Sequence, residues 1–179
     1  MDAISKNKLT EAIQFSNNLD ALLWRNQNQT GKDSTMGKWY QSTLNTASLE
    51  LQGNILIEKG AFEDALKLLK KAEKHEIDLG YGEPPLYARP VAYSIARMYE
   101  KGGKIDKSIE KYQDLLKRFP KSAMIYFELL KNYTTKGDSG KINEYEIKLK
   151  VEATYADSGM YKLEKKEIID TNKVIKKKI

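Results

Sequence analysis

Three glycines set the period of this chain. Gly103 and Gly137 lie 34 residues apart, and the same offset pairs Ile95 with Leu129 and Tyr99 with Tyr133. The stretch Arg89–Ser122 holds two short helical patterns around Gly102-Gly103, and Pro120 closes the second. Ala123–Ala156 repeats that layout around Gly137. An earlier stretch, Thr46–Leu79, turns at Gly60. Aligning Gly60 with Gly103 pairs Leu56 with Tyr99, Phe62 with Ile105, Ala65 with Ser108 and Leu69 with Tyr112. A recurring helix–turn–helix unit cannot bury its apolar face alone, so neighbouring units must stack to make a core. The glycines fall where a first helix ends and a left-handed residue satisfies its last carbonyls. Gly53 and Ala96 fall where the two helices of a unit touch, and a small residue lets them approach.

A two-helix repeat of this length is the tetratricopeptide period. The chain resembles that family at Leu49, Gly53, Leu56, Gly60, Phe62, Ala65, Leu69 and Ala72 in its first unit. In the second unit the matching residues are Ile95, Ala96, Tyr99, Gly103, Ser108, Tyr112 and Pro120; in the third they are Tyr126, Leu129, Tyr133 and Gly137. The third unit departs at Ile142, where a small residue is usual, and at Glu146, where a large apolar one is usual. Its second helix is expected to be shifted or to pack as a cap. The resemblance covers residues 46–156. It implies an all-α fold, a right-handed α-solenoid of antiparallel helix pairs with about eight helices in one domain.

Residues 1–45 are read as a leading helix over Ala3–Gln27, a polar loop over Asn26–Gly37 and the start of a long helix from Lys38 to Lys59. Repeats then occupy 46–79, 89–122 and 123–156. Asp157-Ser158-Gly159 breaks the chain, and Tyr161, Ile168, Ile175 and Ile179 make one apolar stripe on a final helix suited to covering the last repeat. Gly60 and Gly103 are 43 residues apart, nine more than the period. The excess falls in Gly80–Ala88, whose Pro84-Pro85 cannot sit in a helix interior. Pro90 restarts a helix in its first turn, where a missing N–H costs nothing. This aromatic–acid–Pro-Pro segment, followed by Pro-Val, is similar to one carried by a bacterial subset of the family, and Tyr155-Ala156-Asp157 resembles the ending common there. This segment, with Tyr81, Glu83 and Tyr87, is expected to fold back onto the stack: either Tyr81 or Tyr87 edges the surface that the first helices line, or both rings cover the repeat interface instead.

Charge and residue counts narrow the chemistry. The net charge is +6, but residues 162–179 carry seven lysines against three acids, so the other 161 residues carry only +2. A basic tail can engage nucleic acid or anionic lipid. No arginine or aromatic interrupts those lysines to read bases, so they are read as a solubilising end. There is no cysteine, and His75 is the only histidine, which excludes thiol catalysis, cysteine-bound zinc and multi-histidine metal sites. His75 is placed on an outer, solvated position. The Gly137–Ile142 stretch lacks both the spacing and the final Ser or Thr of a phosphate loop. Acid pairs such as Glu63-Asp64 are expected on exposed helix faces, where nothing marks them for acid–base chemistry. No catalytic residue, metal ligand or cofactor site is assigned. No apolar run reaches the roughly 18 residues of a membrane span. Without a basic-then-apolar leader, a cytoplasmic location is the default expectation.

What the resemblance implies is a protein-binding module with no enzymatic role. The family commonly holds peptides or partner helices on the concave face. The inward positions are Glu50, Asn54 and Ile57, then Tyr93, Arg97 and Glu100, then Phe127, Lys131 and Thr134. Glu50, Asn54, Tyr93, Arg97, Phe127 and Lys131 are the candidate groove. Its aromatics would anchor apolar groups, and Arg97 with Lys131 would take an acidic one. The family's carboxylate-gripping constellation matches only at Asn54, so a chaperone tail is not the expected partner. Two other readings stay open: a structural segment of a larger repeat protein, and weak nucleic-acid binding through the tail.

Overall fold

A computed structural model of the chain describes residues 9–28, 33–80, 87 and 89–153. They form seven helices, and among the described residues there is no strand. These are α1 (Leu9–Gln27), α2 (Thr35–Glu58), α3 (Phe62–Asp78), α4 (Ala92–Lys101), α5 (Ile105–Arg118), α6 (Ala123–Lys136) and α7 (Ser139–Ala153). The expected final helix lies outside the described residues, as does most of Gly80–Ala88. The chain divides into two compact units, Met1–Ser108 and Ile109–Ile179, with the boundary inside α5.

In the first unit α1 lies along α2, α2 along α3, and α4 packs against both α2 and α3. Helix α2 starts three residues before the expected Lys38. The Ser34 hydroxyl accepts the Gly37 N–H at 3.0 Å, capping a turn that a Gly-containing stretch does not advertise. The core is Ile57, Ala65, Leu69, Ala72, Val91, Ile95 and Met98, with Leu49, Leu56, Phe62, Leu66, Tyr87 and Tyr99 packed around it. Burying a side chain such as Leu69 contributes about 1.5–3 kcal/mol. Gly53 sits where α2 meets α3: a Cβ there would lie 2.8 Å from both Cγ and Cδ2 of Leu69. The small residue is therefore required by proximity.

The three aligned glycines end their helices identically. Gly60, Gly103 and Gly137 have φ of 76°, 72° and 74°. In each case the glycine N–H reaches the carbonyl three residues back, on Ile57, Glu100 and Thr134. The next N–H reaches five back, to Leu56, Tyr99 and Tyr133. This pair of hydrogen bonds is the Schellman motif. A Cβ at any of these glycines would meet nothing within 4 Å, so backbone conformation alone selects glycine.

In the second unit α6 packs along α7. Ile125, Leu129, Leu130, Tyr133, Tyr145 and Leu149 are buried there, as are Ile109, Tyr112 and Leu115 of α5. Leu149 keeps the 34-residue offset from Leu115. The apolar position expected at 146 is instead filled by Tyr145, which stacks on Tyr133 at 5.4 Å between ring centroids and lies 6.0 Å from Tyr126. Glu146 turns partly to solvent. This is the one-residue shift behind the third unit's departure from the family pattern.

Candidate functional site

Helix α2 places Glu50, Asn54 and Glu58 four residues apart, on one face. Helix α4, with Arg89 three residues before its start, brings Arg89, Ser94, Arg97 and Lys101 against that row. The result is a polar seam between the two first helices of successive repeats.

At its inner end the Glu50 carboxylate is 2% exposed. It accepts the Ser94 hydroxyl on one oxygen and the Tyr87 hydroxyl on the other, both at 2.5 Å. The Arg89 guanidinium stands 3.8 Å from it and also lies 5.8 Å over the Tyr93 ring. Asn54, 3% exposed, donates to the Glu50 carbonyl at 2.8 Å and to the Ser94 hydroxyl at 3.2 Å. A buried carboxylate survives only with such partners. Burial, then the negative charge of Glu50, pushes the Tyr87 phenol well above its usual range. Tyr87 therefore stays a donor and pins the end of the Pro-containing segment to α2. Glu76 of α3 secures the restart of the chain, its carboxylate accepting the Val91 N–H at 2.7 Å.

At the outer end Glu58 takes two cations, Arg97 at 3.6 Å and Lys101 at 2.5 Å. All three side chains are partly exposed, and the cluster carries one positive charge in excess. In the second unit, Lys131 lies 5.6 Å over the Phe127 ring and pairs with Glu128 at 3.0 Å. Phe127 itself is buried.

The structure thus brings Glu50 and Asn54 together, seats Tyr93 beneath Arg89, and sets Arg97 on the partly exposed end of the seam. Tyr81 and Glu83 lie outside the described residues. Sequence reasoning left out the roles of Glu58, Arg89 and Lys101. The spacing Glu50–Asn54–Glu58 opposite Arg97–Lys101 was the available signal, since complementary charge at helical spacing marks facing rows. His75 is half-buried on the last turn of α3. Among the described residues no group of three metal-ligating side chains comes together. Among them, too, no helix is long and apolar enough to cross a membrane.

A family model, tetratricopeptide repeat, matches residues 91–122, which span α4 and α5. No curated protein and no solved structure matches the chain. The matched stretch contains Ile95, Ala96, Tyr99, Gly103, Ser108, Tyr112 and Pro120, and its helix-ending turn at Gly103 recurs at Gly60 and Gly137. The chain therefore contains a tetratricopeptide repeat at residues 91–122, a repeat type that suggests a protein–protein interaction module.

Proposed function

We propose that the chain is a non-catalytic interaction module that takes an acidic segment of a protein partner on α4, at Arg97 and Lys101. The observation that carries this reading is the convergence of both cations on the single carboxylate of Glu58. A partner carboxylate can join them without stranding a buried charge, and a guanidinium offers it two parallel N–H groups. The location supports the reading as well, because α4 is the first helix of the repeat that the family model matches. The sealed seam from Glu50 to Asn54 acts behind this site: it fixes α4 against α2 and so fixes where the cations stand. Lys131 above Phe127 is a separate candidate contact of the same chemistry.

A display selection of random peptides against the folded chain tests this. The selected peptides should be rich in Asp and Glu. Their affinity should fall about ten-fold or more in the Arg97→Ala/Lys101→Ala variant, as expected for the loss of charge-assisted hydrogen bonds. It should also fall with added salt. Lys131→Ala alone measures the second contact. Peptides without acidic residues, or affinity unchanged in the double variant, would move recognition away from α4.

A further inference from the structure

Glu58 is the last residue of α2, and that helix gains nothing from a negative charge there. The free carbonyls at its end form the negative pole of the helix, and its last turn contains no basic residue. Lys101 is the last residue of α4, where the same pole favours a cation. The cation is thus placed with the preference of its own helix, and the carboxylate against the preference of its own.

The two carboxylates of the α2 row are also held differently. Glu50 is fixed by the hydroxyls of Tyr87 and Ser94, and its side chain is 3% exposed. Among the described residues, Arg97 and Lys101 are the only groups that bond or pair with Glu58, whose side chain is 16% exposed. Removal of Glu50 strands buried groups. Removal of Glu58 strands none, because Arg97 and Lys101 keep 30% and 37% of their side-chain surface in water. Another carboxylate in the place of Glu58 would leave the number of ion pairs unchanged.

We infer that Glu58 is a built-in competitor for the acidic segment that α4 takes: an internal carboxylate that occupies Arg97 and Lys101 in the free chain. This rests on the reading of α4 as an acid-binding helix and adds the regulation of that site. A partner carboxylate must share the two cations with Glu58 or displace it. In either case it meets a negative charge already in place, and binding yields only the difference between the two sets of pairs. Isolated acids are turned away, and a segment that adds other contacts is retained.

A capped peptide of six glutamates serves as the probe, titrated calorimetrically into the full chain at low salt. The proteins are the wild type, Glu58→Gln, Arg97→Ala/Lys101→Ala and the triple variant. Glu58→Gln keeps the size of the side chain and removes its charge, and circular dichroism checks that helix content is kept. This variant should bind the probe about five-fold more tightly than the wild type, the worth of one partly exposed ion pair. The Arg97→Ala/Lys101→Ala variant should bind it more weakly, and adding Glu58→Gln to that background should change nothing.

Equal or weaker binding by Glu58→Gln, with Arg97→Ala/Lys101→Ala still weakened, overturns this inference alone. Glu58 would then orient the cations, and the reading of α4 would stand. A gain from Glu58→Gln that persists without the two cations also overturns it, because the charge would then act elsewhere. Affinity unchanged in Arg97→Ala/Lys101→Ala removes the reading of α4, and this inference with it.

Discussion

Gly53→Ala isolates the closest approach in the first unit. Alanine is the better helix former by about 1 kcal/mol, so on propensity alone the substitution should stabilise α2. The structure predicts the opposite sign. The new methyl would lie 2.8 Å from Cγ and from Cδ2 of Leu69, a residue fully buried between α2 and α3. Cγ is the branch atom, so rotating the far end of the side chain does not clear it. Leu69 must leave its rotamer, or the helices must separate. Overpacking of this kind costs about 1–3 kcal/mol, which outweighs the propensity gain and leaves a net loss of about 1–2 kcal/mol. Urea unfolding followed by far-ultraviolet circular dichroism should show a lower midpoint with an unchanged slope. Leu69→Ala alone should cost about 2–5 kcal/mol through the cavity it leaves. In that background Gly53→Ala should become stabilising by up to about 1 kcal/mol, because the methyl now enters vacated space. The coupling between the two sites should therefore be about 2–3 kcal/mol. Stabilisation by Gly53→Ala in the wild-type background, or an identical effect in both backgrounds, would refute the close-approach argument.

Glu50→Ala should cost about 2–4 kcal/mol, because it strands the hydroxyls of Tyr87 and Ser94; Glu50→Gln, which keeps an acceptor, should cost less than half as much in the same urea assay. Tyr87→Phe tests the phenol's raised pKa. The folded state holds that proton where the unfolded chain releases it, so the wild type should lose stability as pH rises above about 10, more steeply than the variant. Parallel pH–stability curves for the two would contradict the burial of the phenol beside the Glu50 carboxylate. Gly137→Ala should cost about 1–2 kcal/mol from its left-handed backbone alone, and Gly103→Ala should match it because the two turns share one geometry. Unequal costs in thermal melts would mean that the turns are not equivalent.

What the sequence made legible was whatever depends on local backbone. Gly60, Gly103 and Gly137 mark helix ends because only glycine takes φ near +74° without strain, and their spacing carries the repeat with it. Gly53 was readable as a contact for the same reason of size. Ser34 was harder: a capped first turn containing Gly37 resembles the polar loop before it, and the start of α2 was placed late. The shift to Tyr145 in the third unit depends on a stack with Tyr133, which no periodicity encodes. The candidate site was half legible. Helical spacing placed Glu50, Asn54 and Arg97 on inward faces. Which of them would be sealed depends on Tyr87 and Ser94, partners 37 and 44 residues along the chain from Glu50. Arg97 keeps partial exposure because Glu58, rather than a hydroxyl, is what it meets.

Helix α4 is proposed as the recognition helix. Titration of an isotope-labelled chain with a display-selected acidic peptide, followed by amide and arginine Nε chemical shifts, tests it most directly. The largest perturbations should fall on residues 93–101 and on the Arg97 Nε, with smaller ones at Glu58. Perturbations confined to α1 and the first turn of α2, or to residues 154–179, with Arg97 Nε unmoved, would contradict it.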